Sequence, residues 1–359
     1  MPERGTRVIV LGGVPIGGGH PVAVQSMTNT DSADVASTRR QIRRLARAGC
    51  EIVRTAVPDE KAAAALPAIV ASSPIPVVAD IHFDPKLALR ALAAGVHGLR
   101  LNPGNIRNRK ALKEIVARAA ERGVPIRIGV NAGSVARDVR ERHPDNLAEA
   151  LVASALEHLS LLEEMGFGAI KVSLKAADVP ATLAAYRRMS ALRDYPLHLG
   201  ITESGTLFSG LIKSSAGIGA LLLEGLGDTI RYSLAADPVA EVRAAYALLR
   251  ALGLRRRGVE IVACPTCGRA RLDVIKTARA LETRLDDLVA PLRVAVMGCG
   301  VNGPGEARHS DLGCVGTPKG IQVYLQGERA GTVAPEKLIA WMLCRARELA
   351  AATDPPTEG

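Results

Sequence analysis

Aromatic residues are nearly absent: three Phe, five Tyr and one Trp in 359 positions. Few platforms remain on which unpaired bases could stack, and no zinc-finger spacing or RNA-binding signature accompanies the chain. A nucleic-acid partner is therefore not expected. Long apolar runs are missing too. No stretch of about 18 consecutive apolar residues occurs, so no membrane span is expected. The opening MPERGTRVIV has no long apolar segment before a small-residue cleavage site, and a cytoplasmic protein is the expectation. Acidic residues are in deficit: 36 Asp and Glu stand against 46 Lys and Arg, a net charge of +10. That surplus points to an anionic ligand or an acidic partner.

What is present is a regular alternation. From residue 20 onward, short β-branched runs are each followed by an Ala/Leu/Arg-rich helical stretch. The runs are PVAVQS (21–26), EIVRTAV (51–57), PVVADIH (76–82), GLRLN (98–102), PIRIGVN (125–131), AIKVSLK (169–175), PLHLGIT (196–202) and TIRYSLA (229–235). Helices are expected near 33–48, 59–71, 85–95, 108–122, 146–165, 178–193, 211–224 and 237–252. Eight similar units fit an α/β fold, a (β/α)8 TIM barrel over residues 1–254. A doubly wound open sheet is the alternative.

Strand side chains alternate in direction. Here the polar residues fall on one parity: Arg54, Asp80 and His82, Arg100 and Asn102, Arg127 and Asn131, then Lys171, Ser173 and Lys175. Thr202, Arg231 and Ser233 continue the pattern, and Glu203 lies just past its strand. Inward charges are costly unless paired. Six cations (Arg54, Arg100, Arg127, Lys171, Lys175, Arg231) face only Asp80 and Glu203, so the imbalance calls for an anion. Guanidinium forks match phosphate oxygens, and barrel chemistry sits at the C-terminal ends of strands. A small phosphate or diphosphate ester is the expected ligand. His82, in the same row, is a candidate proton donor.

The alternation breaks after RRRG (255–258), and a second α+β domain is expected over 258–349, followed by a disordered tail at 350–359. EIVAC and RVAVMG read as strands, RLDVIKTARALETRL as a helix, IQVYLQG with ERAGTV as a hairpin, and APEKLIAWMLCRARELAA as a last helix. Six cysteines occur, and in a reducing compartment disulfides are not expected. Cys50 and Cys344 read as small buried hydrophobes. CPTCGR supplies Cys264 and Cys267, and MGCGVNGPGEA, a stretch too rich in glycine to be helix or strand, supplies Cys299. A zinc site would want a second CxxC or a His pair, and neither occurs. Three cysteines around glycine-rich loops fit an iron–sulfur centre with one labile position. Cys314 and Glu306 compete for the fourth place, and spacing leaves both open.

The stretches VQSMTNTDSADV, AGCEIVRTAVPD, PVVADIHFD, LRLNPGNI, RIGVNAGS, KVSLKAADV, LHLGITESGT, GIGALLLEGLGDTIRYSL, CPTCGR and MGCGVNGPGEA resemble the 4-hydroxy-3-methylbut-2-enyl diphosphate synthase family, in its short two-domain bacterial form. The resemblance implies a [4Fe–4S] cluster on Cys264, Cys267 and Cys299, with Glu306 on the fourth iron. It implies reductive ring opening of 2-C-methyl-D-erythritol 2,4-cyclodiphosphate. Arg54, Arg100, Arg127 and the lysines Lys171 and Lys175 would hold the diphosphate, and Glu306 or His82 would donate a proton. Flavodoxin or ferredoxin would supply electrons one at a time. A homodimer is also implied, in which the cluster domain caps the partner's barrel.

Overall fold

Residues 5–106 and 108–353 are described in the computed structural model, and the chain divides between Arg255 and Arg256 into two units. The first opens with an antiparallel hairpin, β1 (Ile9–Leu11) and β2 (Val14–Ile16). Eight parallel strands follow: β3 (Ala23–Met27), β4 (Ile52–Ala56), β5 (Val77–Asp80), β6 (Gly98–Leu101), β7 (Ile126–Asn131), β8 (Ile170–Lys175), β9 (His198–Leu199) and β10 (Thr229–Ile230). Their hydrogen-bonded order is β8-β7-β6-β5-β4-β3-β10-β9. A parallel bridge from Val172 in β8 to Leu197, just ahead of β9, brings the two ends of that order together. The sheet is a barrel, not an open doubly wound layer.

Helix starts are written into the loops that leave the strands. Asp59, Asp84, Asn108, Asn146, Asp178 and Asp237 each accept a backbone N–H in the first turn of the helix that follows. Each such cap is worth about 1 kcal/mol and fixes where the loop ends. The outward parity of the strands (Val53, Ala79, Leu99, Ile128, Val172, Leu174) packs in one buried cluster with helix residues such as Ile42, Leu66, Leu112 and Leu159. The β1–β2 hairpin closes the other end. Ile9, Leu11 and Ile16 pack on Ala23, Ile52 and Val78, at the starts of β3, β4 and β5.

Several boundaries differ from expectation. The last two barrel strands keep only two residues each, so Thr202, Glu203, Arg231 and Ser233 lie beyond the ladder. His82 and Asn102 likewise follow the last residues of β5 and β6. The seventh barrel helix begins at Leu207, four residues earlier than its apolar periodicity suggests.

In the second unit a five-stranded sheet has the order β11 (Val259–Ala263), β12 (Leu292–Met297), β13 (Leu312–Thr317), β14 (Gly320–Leu325), β15 (Glu328–Val333). The first three strands run parallel, and β14 and β15 form the expected antiparallel hairpin. Helices cover Val274–Arg284 and Pro335–Thr353. The final helix therefore takes in residues 350–353 of the expected disordered tail; residues 354–359 lie outside the described residues. The glycine-rich stretch also holds more structure than its composition suggests. Its Met297 ends β12, and a short helix, Gly303–Arg308, begins within it, with Pro304 in the first turn, where a missing N–H does no harm. No helix among the described residues is long and apolar enough to cross a membrane.

Candidate active site

Inside the barrel the predicted cations converge. Arg100, Arg127, Lys171 and Lys175 are buried, and the Arg54 side chain is 12% exposed. One carboxylate answers them. Asp80 lies 3.2 Å from Arg100 Nη1 and 3.6 Å from Arg54 Nε. Burial by itself would raise the Asp80 carboxyl, but the Arg54 charge, the neighbouring His82 and the charges of Arg100 and Arg127 hold it well below the usual carboxylate range. The cations are lowered as well, and for them that favours the neutral form. Burial, with Arg127 adjoining, pushes Lys171 down to about 7. Burial likewise lowers Arg54 to about 10, against the pull of Asp80. Burial and the neighbouring arginines push Arg127 and Lys175 well below their ordinary values.

Several of their donors are unused. Arg127 Nη1 donates to Ser173, but its Nε and Nη2 have no hydrogen-bond partner, nor do Arg100 Nε or Lys171 Nζ. A buried donor without a partner costs about 1–3 kcal/mol, and here four are gathered in one place. Their positions are fixed by close packing. Arg100 Nη2 donates to the Gly129 carbonyl at 2.8 Å, and the Gly129 N–H donates to Asn102 Oδ1 at 2.9 Å. A Cβ on Gly129 would stand 2.6 Å from Arg100 Nε, so glycine is what lets the guanidinium lie flat across β7.

The remaining candidates are more peripheral. His82 is half-exposed, with Nε2 2.9 Å from Arg100 Nη1 and 3.7 Å from Asp80 Oδ1. Asn131 and Thr202 are half-buried, as is Ser233. Arg231 is not a free cation: Glu241, a buried residue of the helix Pro238–Ala251, takes it at 3.3 Å. Glu203, expected as an inward counter-charge, is exposed with φ of 52°. Glu241 and Met27, whose sulfur lies 2.8 Å from Arg54 Nη2, escaped the sequence reading. Glu241 belongs to an outer helix, where strand parity carries no signal. Met27 is apolar, yet two residues before it Gln25 marks the inward parity.

In the second unit, Cys264, Cys267 and Cys299 line one cavity of about 190 Å³, together with Thr266, Arg269 and Asn302 among others. Cys264 follows β11, and Cys299 follows β12 by two residues. Thr266 adopts φ of 61°, a left-handed conformation that turns the CPTC segment back on itself. The Gly298 N–H donates to Cys264 Sγ at 3.2 Å. The Val301 N–H holds the Cys299 thiol below its ordinary value, with Arg269 adding to that effect. Among the described residues no three His, Cys, Asp or Glu side chains converge as they would on a single metal ion. Thiols spaced around a cavity, with backbone N–H groups and a cation aimed at sulfur, are a donor set for a polynuclear iron–sulfur centre. The residues fit the group.

Glu306 sits on the short helix, half-exposed, 3.9 Å from Arg293 Nη2, and it is not among the cavity-lining residues. Cys314 lies on β13, fully buried in the sheet's hydrophobic cluster, and burial raises its thiol to about 12. Cys50 is buried as expected, whereas Cys344 is exposed and donates to Glu348, because its face of the last helix points to solvent.

Comparison with known proteins agrees with this architecture. The family model described as the GcpE TIM-barrel domain matches residues 6–246, and that of the GcpE protein C-terminal domain matches 260–348. A 4-hydroxy-3-methylbut-2-en-1-yl diphosphate synthase (flavodoxin) of Geobacter sulfurreducens is 58% identical over 311 residues, 87% of this chain and 88% of its own. The protein of the same name from Salinispora tropica is 52% identical, covering 97% of this chain and 90% of its own. Among solved structures, a dihydropteroate synthase of Xanthomonas albilineans aligns with a TM-score of 0.51 at 16% identity, over 69% of this chain and 98% of its own, which is a likeness of fold alone.

Proposed function

The chain belongs to the GcpE family, and on that footing we propose that it carries out the reaction its relatives are named for, making 4-hydroxy-3-methylbut-2-en-1-yl diphosphate from 2-C-methyl-D-erythritol 2,4-cyclodiphosphate. Counted as neutral acids, the reaction consumes two electrons and two protons and releases one water. The observation that carries the reading is the set of buried, partnerless donors on Arg100, Arg127 and Lys171.

Arg54, Arg100, Arg127, Lys171 and Lys175 bind the diphosphate. They stabilise it as it becomes a leaving group, with donors already held in place. Asp80 joins them in the substrate site and keeps Arg54 and Arg100 oriented between β4 and β6. Asn102, Asn131, Ser173, Thr202, Glu203, Arg231 and Ser233 shape the surroundings, Ser173 by fixing Arg127 and Asn102 by pinning Gly129. His82, at hydrogen-bond distance from Arg100 and half-exposed, is placed to pass a proton between solvent and the substrate oxygen that leaves as water. Cys264, Cys267, Cys299 and Glu306 would hold a [4Fe–4S] cluster, with Glu306 the weakest of the four ligands because carboxylate oxygen suits iron less than thiolate does. When bound, that cluster supplies one-electron chemistry, taking electrons singly from a protein donor and passing them to the substrate. The donor is flavodoxin, and the working form is a homodimer, which sedimentation velocity checks.

The test is turnover. Anaerobically prepared protein, given the cyclic diphosphate and reduced flavodoxin, forms the open allylic diphosphate with iron and sulfide bound. Iron-loaded protein that binds the cyclic diphosphate yet never reduces it, with flavodoxin or with a strong chemical reductant, rules the reading out.

A further inference from the structure

The edge of the second unit that carries the thiols is also where basic side chains stand without counter-ions. Residues 269–274 cross the ends of β12 and β13. The Arg271 N–H donates to the Gly298 carbonyl at 2.7 Å, and a Cβ on Gly316 would meet the Arg271 backbone at 2.9 Å. This crossing sets Arg271 beside the thiol cavity and Lys276 in the first turn of the helix Val274–Arg284. Lys319 lies on the turn that leaves β13 at the same edge. All three are exposed, and among the described residues none is in an ion pair. Asp273, the carboxylate on this stretch, is engaged as the helix cap, accepting the Lys276 N–H at 2.9 Å. Some cations elsewhere in the unit are paired. Arg293, at the opposite end of β12, reaches Glu260 at 3.8 Å, and Arg347 on the last helix meets Asp287 at 2.9 Å.

Apolar side chains lie in the open within this rim. Val301 lines the thiol cavity and is 67% exposed, and Ile275 in the same first helical turn as Lys276 is 56% exposed. An apolar centre, a cationic rim and a redox site at its middle form the surface that a soluble electron carrier of opposite charge would use. The rim speeds encounter, and the apolar contact shortens the electron's path. We propose that the edge bearing Arg271, Lys276, Lys319, Ile275 and Val301 is the docking surface for the acidic flavodoxin that delivers electrons. The inference rests on the reading above that the cavity holds a one-electron centre. Each docking event moves one electron from the reduced flavin to that centre and leaves the flavin one electron more oxidised. Two events and two protons reduce one cyclic diphosphate.

The experiment compares two reductants on the anaerobic holoenzyme. The triple variant Arg271→Glu, Lys276→Glu, Lys319→Glu should raise KM for reduced flavodoxin by about tenfold or more and flatten its salt dependence. Its rate with dithionite, which needs no docking surface, should equal that of the unsubstituted protein. The corresponding triple glutamine variant should fall between the two. An unchanged KM for flavodoxin in the glutamate triple overturns the proposal. So does an equal loss with both reductants, which would assign this edge to the enzyme's own working contacts. Unsubstituted holoenzyme that turns over with neither reductant defeats the functional reading itself, a result separable from either of these.

Discussion

The barrel interior and the thiol edge solve opposite problems. In the barrel, charged groups are carried on strands, buried, and held against backbone groups such as the Gly129 carbonyl. Its geometry is complete before any ligand arrives, and the unsatisfied donors on Arg100, Arg127 and Lys171 are a standing cost of that completeness. The thiols are carried on turns instead. Cys264 and Cys299 are half-buried and Cys267 is exposed, and little besides the Gly298 and Val301 amides restrains them. One site is electrostatically loaded and stiff; the other is chemically loaded and waits for its group to draw it together. Binding energy should therefore reside in the barrel, while occupancy and redox state should govern the second unit.

The sharpest way to break this contrast is to remove a thiol. Cys299→Ser should abolish turnover and strip most of the bound iron and sulfide. The far-UV circular dichroism should change little, because Cys299 lies outside both hydrophobic clusters of its unit. Iron and sulfide contents equal to those of the unsubstituted protein would exclude Cys299 as a ligand. The reciprocal change in the barrel is Arg127→Met. It should lower kcat/KM by about 10²–10³-fold, the usual scale for losing one donor to a developing anion. Yet it should stabilise the ligand-free protein by about 1–4 kcal/mol, since it replaces a buried cation that lacks a carboxylate partner. Loss of activity accompanied by loss of stability would mean that Arg127 is structural.

A gentler probe is pH. Burial lowers Lys171 to about 7, against an ordinary value of 10.5. Between those values the unfolded chain binds the proton more tightly than the folded one, so stability rises with pH across that window. Below it the penalty is fully present. Lys171→Met should erase this rise, which denaturation of both proteins at pH 7 and pH 10 checks. Diphosphate binding favours the protonated amine, so calorimetry in buffers of differing ionisation enthalpy should show proton uptake above neutral pH. Binding with no proton uptake would mean that Lys171 does not meet the anion.

Much of the barrel was legible because a period of two is a strong signal. Arg54, Arg100, Arg127, Lys171 and Lys175 share a face for the same reason that Val53, Leu99 and Val172 share the other. What stayed hidden is tertiary. The β1–β2 hairpin is two three-residue strands among glycines, too short for periodicity. Glu241 finds Arg231 only once the outer helix packs beside it, and Glu203 lies past the ladder with a left-handed backbone, where strand parity no longer applies. The short helix at Gly303–Arg308 breaks propensity rules, with Pro304 tolerated by its position in the first turn. The thiol set was legible from its loops, but which of Glu306 and Cys314 belongs with it was not, since both follow Cys299 closely enough in sequence for the chain to return to it.

That choice supplies the smallest expected effect. Cys314 pairs with Val296 across β12 and β13, and its side chain belongs to the hydrophobic cluster that includes Val294, Val323 and Met342. Its thiol is raised to about 12 by burial, and it is not among the residues that line the thiol cavity. Cys314→Ala should therefore act as a core truncation by one sulfur atom. The loss should be about 1 kcal/mol of stability, with iron, sulfide and turnover unchanged. Glu306→Ala is its mirror: stability nearly untouched, because the carboxylate is half-exposed and its nearest cation, Arg293, also lies close to Glu260, but turnover lost. Parallel iron assays and thermal melts on the two variants decide the matter. If Cys314→Ala empties the site while Glu306→Ala leaves turnover intact, the buried strand must open to deliver its thiol, and the contrast between a stiff barrel and a loosely held thiol edge would have to extend into the core of the second unit.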